Sequence, residues 1–120
     1  MDDIQPFYPV PTAQVQPYVD ALGTETAIEF LLNFGGAELT VSLSPNGRGM
    51  VGRVIGLENT IKLGNHRDHM QPRVPLANKW LAQCLYAQSL SVASIARRLR
   101  SSDTTVRGYL RGNNARRANG

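Results

Sequence analysis

The chain has 120 residues, 42% of them apolar and 18% charged, the profile of one globular domain or two small ones with enough core to fold without staples. Its single cysteine, Cys84, excludes an intramolecular disulfide, and no apolar run approaches the roughly 18 residues needed to span a bilayer. The net charge of +4 hides a division: residues 1–47 carry six acids and no Lys or Arg, whereas residues 48–120 carry all 13 bases against three acids.

Only the basic part of such a chain gains by releasing counterions from phosphates, so the division is that of a nucleic-acid reader joined to a partner-binding module. Eleven of the 13 bases are Arg, which forks onto phosphate or guanine better than Lys does. A solvated basic face is the plain alternative. The acidic opening Met1-Asp2-Asp3 differs from a secretory signal, which is basic and then apolar, and the expectation is a cytoplasmic protein with no membrane.

Residues 1–17 hold four of the seven prolines, Pro6, Pro9, Pro11 and Pro17, and read as an extended arm that offers Phe7 and Tyr8 to a partner. Val19 to Leu22 reads as the end of a helical turn. Thr24 is placed to cap a helix over Glu25 to Asn33 with Ala27, Ile28, Leu31 and Leu32 on one face, which Gly35-Gly36 stops. From Ala37 to Leu43 the pattern alternates, with Leu39, Val41 and Leu43 apolar, predicting a strand buried on one face before a turn at Ser44-Pro45-Asn46-Gly47.

Shifted by 33 residues, the sequence partly repeats. Leu22-Gly23-Thr24-Glu25 falls on Ile55-Gly56-Leu57-Glu58, Ile28 on Ile61 and Val41 on Val74. The unit reads as one helix and one strand, the second strand being cut to about Arg73-Val74 by Pro72 and Pro75. Lone strands bury little, so the two should pair with each other or, the favoured expectation, with those of a second chain. Gly47 to Arg53 reads as a flexible linker that could also lay Arg48 and Arg53 along a minor groove.

From Leu76 the period becomes 3.6, with Ala77, Trp80, Leu81, Cys84 and Leu85 forming one stripe. Ser91 caps a second helix with Val92, Ile95, Ala96 and Leu99 inward. After Arg100-Ser101-Ser102, Ser102 caps a third with Val106, Tyr109 and Leu110 inward, which Gly112 closes. Ala96 is small enough to let the last helix cross it, and Val106 is the matching knob. Three helices with a tight turn between the last two predict a helix-turn-helix. The string Ser91-Val-Ala-Ser-Ile-Ala-Arg-Arg-Leu-Arg-Ser-Ser-Asp-Thr-Thr-Val-Arg-Gly-Tyr-Leu110 is similar to the helix-turn-helix of resolvases and many phage regulators. It departs at Arg100, where such motifs place Gly, and at Ser101, where they place an apolar residue.

With the apolar positions inward, Asp103, Thr104 and Arg107 face the base edges of a major groove: Arg107 to fork onto guanine, Asp103 to accept from a cytosine amine, Thr104 to meet thymine or adenine. Arg98, Arg100, Ser102, Thr105 and Arg111 are the candidates for backbone phosphates, joined by Arg116 and Arg117 of a basic tail. Solvated arginines and a first-turn acid pleasing the helix dipole are the bland counterpart. Gly108 costs the last helix about 1 kcal/mol relative to Ala, and close approach to a sugar-phosphate chain would explain it.

The order of a helix, a Gly-Gly pair, an alternating strand (Phe34-Gly35-Gly36-Ala37-Glu38-Leu39-Thr40-Val41-Ser42-Leu43), an Ile-Gly-x-Glu helix (Ile55-Gly56-Leu57-Glu58) and a terminal helix-turn-helix resembles the Mor/C family of phage transcription activators over residues 18–111. The resemblance implies an intertwined N-terminal dimer, here through Ile28, Leu31, Leu32, Leu39, Val41 and Leu43. It further implies two C-terminal domains on an inverted repeat of double-stranded DNA, recruitment of RNA polymerase, and a place at the nucleoid of a bacterial host cell. The strand lacks the family's aromatic-Ile-Pro-Lys ending, reading Val41-Ser42-Leu43-Ser44-Pro45.

The expected fold is thus mainly α with a small β element. A Pro-rich arm (1–17) precedes a helix-plus-strand dimerisation region (18–72), a three-helix helix-turn-helix domain (73–112) and a basic tail (113–120). His66, Asp68 and His69 make a poor metal site, with irregular spacing and Arg67 among them, and no metal or other cofactor is expected. No Ser-His-Asp, Cys-His or P-loop arrangement is present, so no enzyme is expected. Alternatives are a packaging or recombination accessory protein using the same helices without polymerase, and a helical protein-interaction module for an acidic partner.

Overall fold

Helix punctuation and apolar periodicity account for most of the element order in a computed structural model of the chain, which describes residues 6–38 and 50–111. It is mainly helical, with almost no strand. The described residues form six α-helices: α1 (Gln16–Leu22), α2 (Thr24–Phe34), α3 (Met50–Asn65), α4 (Asn78–Ala87), α5 (Val92–Leu99) and α6 (Asp103–Leu110), with a single 3₁₀ turn at Arg67–His69. No helix among them is long and apolar enough to cross a membrane. The chain divides into two compact units, one of residues 11–77 and one of residues 1–10 with 78–120, so the Pro-rich arm is split between them at Val10.

In the first unit α1 packs on α2 and α3, and α2 on α3. Its core is Val15, Tyr18, Leu22, Ala27, Ile28, Phe30, Leu31, Phe34, Val51, Ile55, Leu63 and Val74. Tyr18 stacks on Phe30 at 5.6 Å between ring centroids, and Phe30 meets Phe34 at 5.1 Å in a tilted contact. Ile28 and Leu31, expected at a dimer interface, are each 2% exposed within this core and so offer no surface to a second chain. Leu32 is half-buried, whereas Leu39, Val41, Leu43 and the turn at Ser44 to Gly47 lie outside the described residues.

Thr24 is not a cap. Gly23 holds that position with φ 82° and ψ 161°, a region closed to side chains with a Cβ, and Thr24 becomes the first helical residue. The same geometry recurs 33 residues later: Gly56 has φ 85° and ψ 162° and breaks α3 into two helices. Each repeat is therefore a helix, a glycine break and a second helix, rather than one helix and one strand. Core positions match across the shift, Tyr18 with Val51, Leu22 with Ile55, Ala27 with Thr60 and Phe30 with Leu63, all buried. At the second break side chains donate to the carbonyls on either side of the turn, Thr60 Oγ1 to Gly56 O at 2.8 Å and Asn59 Nδ2 to Ile55 O at 2.9 Å. Residues 50–53 of the expected linker are helical, with Val51 in the core supplying the apolar contact that glycine composition conceals.

Where a small β element is expected, the described residues carry an isolated bridge rather than a strand. Glu38 and Arg73 form an antiparallel bridge flanked by Gly36 N to Val74 O at 2.7 Å and Val74 N to Ala37 O at 2.8 Å. This pairing lies within the chain, while the rest of the expected strand, residues 39–43, lies outside the described residues. Gly35 is what lets the two segments approach, because a Cβ there would stand 2.9 Å from Leu31 O and 3.3 Å from Pro75 O.

Tyr18 Oη is buried and has no hydrogen-bond partner among the described residues, and burial pushes its pKa up to about 12. The fold favours the neutral phenol, so this contribution is full below the ordinary value near 10 and is lost as pH climbs from there towards 12. Tyr18→Phe removes a buried hydroxyl without a partner and is expected to raise stability by about 1 kcal/mol at neutral pH. Urea melts at pH 7 and pH 11 check this; an unchanged or lowered midpoint at pH 7 would count against it.

In the second unit α4 packs on α5 and α6, and α5 on α6. Trp80, Leu81, Ala82, Cys84, Leu85, Ala87, Ile95, Ala96 and Val106 make its core. Cys84 is free and sealed, and burial pushes its thiol pKa up, the opposite of a nucleophile. Residues 6–10 belong here as a strap: Trp80 Nε1 donates to Pro9 O at 3.0 Å, and Gln88 Nε2 to Tyr8 Oη at 3.2 Å. Tyr8 is thus held by its own chain rather than offered to a partner, while Phe7 remains 64% exposed.

Candidate nucleic-acid interface

Two serine caps and one left-handed residue shape the surface formed by α5, the turn and α6. Ser91 Oγ accepts from Ser94 N at 3.1 Å, and Ser102 Oγ from Thr105 N at 3.1 Å, each satisfying one orphan donor of a helix start. Between them α5 ends at Arg100, with φ 56° and ψ 44°. Arg100 N donates to Arg97 O at 3.3 Å and Ser101 N to Ala96 O at 2.9 Å, a Schellman closure with arginine where glycine is the usual residue. The departure from the common motif at Arg100 is therefore met by bending an ordinary residue into a left-handed turn.

Val106 is 0% exposed, and Tyr109 and Leu110 are half-buried. Gln83 Nε2 of α4 donates to Tyr109 O at 3.0 Å, tying the end of α6 to the supporting helix; spacing alone held no sign of this contact. Asp103, Thr104, Arg107 and Gly108 of α6, and Arg111 just past its end, are exposed. The fold thus brings the three candidates for base readout onto one open face.

Arg98 and Arg100 are exposed on α5 and the turn. Arg97, also exposed, donates to Ser94 Oγ at 3.2 Å. Ser102 is engaged as a cap and donates its hydroxyl proton to Thr105 Oγ1 at 2.9 Å, leaving Thr105 the freer hydroxyl of the two for a phosphate. Residues 78–111 hold six bases, all exposed, against Asp103 as their one acid. Arg116 and Arg117 lie outside the described residues, as does Gly112, the expected stop of α6.

Among the described residues nothing around Gly108 requires glycine. A Cβ built there meets only Arg111 Nη2, at 3.9 Å and at the end of a flexible side chain. Gly108→Ala should raise the stability of the free protein by about 0.5–1 kcal/mol through helix propensity, read as a higher thermal midpoint.

In the first unit His66 and His69 stand with ring centroids 6.4 Å apart, and His66 Nδ1 lies 3.0 Å from Lys62 O. Among the described residues no three His, Cys, Asp or Glu side chains share reach of a common ion. Comparison with protein-family models, with curated proteins and with solved structures finds no match to the chain.

Proposed function

We propose that the protein is a sequence-specific double-stranded DNA-binding transcription regulator, in which α4 to α6 act as a helix-turn-helix with α6 in the major groove. The observation that carries the reading is the division of α6 into a sealed side, Val106, and an open side bearing Asp103, Thr104 and Arg107 above an arginine-rich surface. Those three residues read base edges, while Arg98, Arg100, Thr105 and Arg111 hold phosphates and the dipole of α6 adds to the attraction. One short helix recognises too few bases for useful affinity, so the protein acts as a dimer on an inverted repeat with half-sites about 34 Å apart or a multiple.

The resemblance to the Mor/C activators supports the further reading of a phage or mobile-element activator that recruits RNA polymerase at the nucleoid of a bacterial host. Gly108 fits a point where the DNA backbone comes close, so Gly108→Ala should weaken duplex binding even as it stabilises the free chain. Selection of bound sequences from a random duplex pool tests the whole reading. A palindromic consensus is expected, and a pool that shows no enrichment rejects sequence-specific binding.

A further inference from the structure

The two repeats of the first unit match in the core and differ at three exposed positions. In the first repeat the positions are Ala21, Thr24 and Ile28, with Ala21 and Ile28 buried. Their counterparts 33 residues on, Val54, Leu57 and Ile61, are as apolar or more so, yet stand 38%, 59% and 56% exposed. Large apolar side chains grouped in water in this way mark an interaction surface. Leu57 and Ile61 lie one turn apart on the half of α3 that follows the break at Gly56, and Val54 lies in the turn before it.

The rim of the patch decides what covers it. Glu58 and Lys62 flank Leu57 and Ile61 on the same side and pair at 3.7 Å, both side chains exposed. A basic or acidic partner, or an anionic surface, would call for one sign of charge here. A rim of both signs one turn apart is complementary to itself: when two such helices run antiparallel about a two-fold axis, the same flank meets the same flank, and Glu58 of each faces Lys62 of the other.

We infer that Val54, Leu57 and Ile61 form an interface with a second copy of this chain, paired antiparallel about a two-fold axis with Glu58 opposite Lys62. The inference rests on the dimeric part of the proposed function, and replaces Ile28 and Leu31, which the core consumes. Three side chains cover less than the roughly 800 Å² per partner of a standard interface, so the free dimer belongs to the transient class.

Sedimentation of the full chain, without DNA, tests this across about 1 to 200 µM, where a transient pair should assemble. The wild type is expected to associate over this range, and Leu57→Glu with Ile61→Glu to remain monomeric while keeping its circular dichroism spectrum, since both side chains are in water. Glu58→Lys and Lys62→Glu should each weaken association several-fold. An equimolar mixture of the two single variants should restore it, because the all-basic rim of one then meets the all-acidic rim of the other. A wild type monomeric throughout, association untouched by the paired glutamates, or a mixture no tighter than either variant alone overturns the proposal. Failure of the wild type to bind any duplex would reject the DNA reading and leave these results standing.

Discussion

Replacing Arg107 by Ala will lower affinity for the selected duplex by about 1–3 kcal/mol, or about 5- to 150-fold, and relax preference at one base pair. The loss follows from position: Arg107 is exposed on α6 next to buried Val106, where a fork can meet guanine O6 and N7. Arg98→Ala should behave differently. Its side chain is on α5, which crosses the backbone in this geometry, so all sequences should weaken alike and the salt slope should drop by about one. Titrations on cognate and scrambled duplexes at several salt concentrations separate the two. Equal losses on both duplexes for both substitutions would reject the assignment of Arg107 to base readout, and selective loss of a protein partner instead would favour an interaction module.

Trp80→Ala is expected to unfold the second unit. Truncating a buried Trp costs about 3–5 kcal/mol, comparable to the whole stability of a unit of some fifty residues, which is about 2.5–7.5 kcal/mol. The substitution also frees the strap, since the indole N–H donates to the Pro9 carbonyl at 3.0 Å. Trp80→Phe separates the contributions: it keeps most of the apolar contact and forfeits the hydrogen bond, at about 1 kcal/mol. Trp80 is the single tryptophan, so its fluorescence reports this unit's unfolding in every other variant. Full helicity and an unshifted thermal midpoint in Trp80→Ala would show that the strap and α4 contribute little.

The candidate site was more legible than the fold around it. Ser91, Ser102, Val106 and the open face of α6 follow from capping chemistry and a 3.6-residue period, which act over three or four residues and need no knowledge of distant contacts. The misreadings share another property. Thr24 looked like a cap because its residue type suits one, but the glycine before it adopts a conformation that only glycine tolerates and takes the position. Residues 50–53 looked like a linker because glycine surrounds them, yet Val51 is a core residue. Ile28 and Leu31 looked like an interface because an amphipathic face does not say whether its own chain or another covers it.

By itself, then, the sequence determined the helical character of the chain, the segregation of its charge, the caps, and the three short helices that present Asp103, Thr104 and Arg107. It also held the 33-residue repeat, whose glycines proved to share one backbone geometry. Only the tertiary structure decided that residues 6–10 strap the C-terminal helices, that Glu38 pairs with Arg73, and that the repeats bury α2 while leaving Leu57 and Ile61 in water. Those outcomes depend on contacts between residues about 35 to 80 positions apart, where the choice among competing apolar partners is set by packing and loop closure rather than by any local pattern.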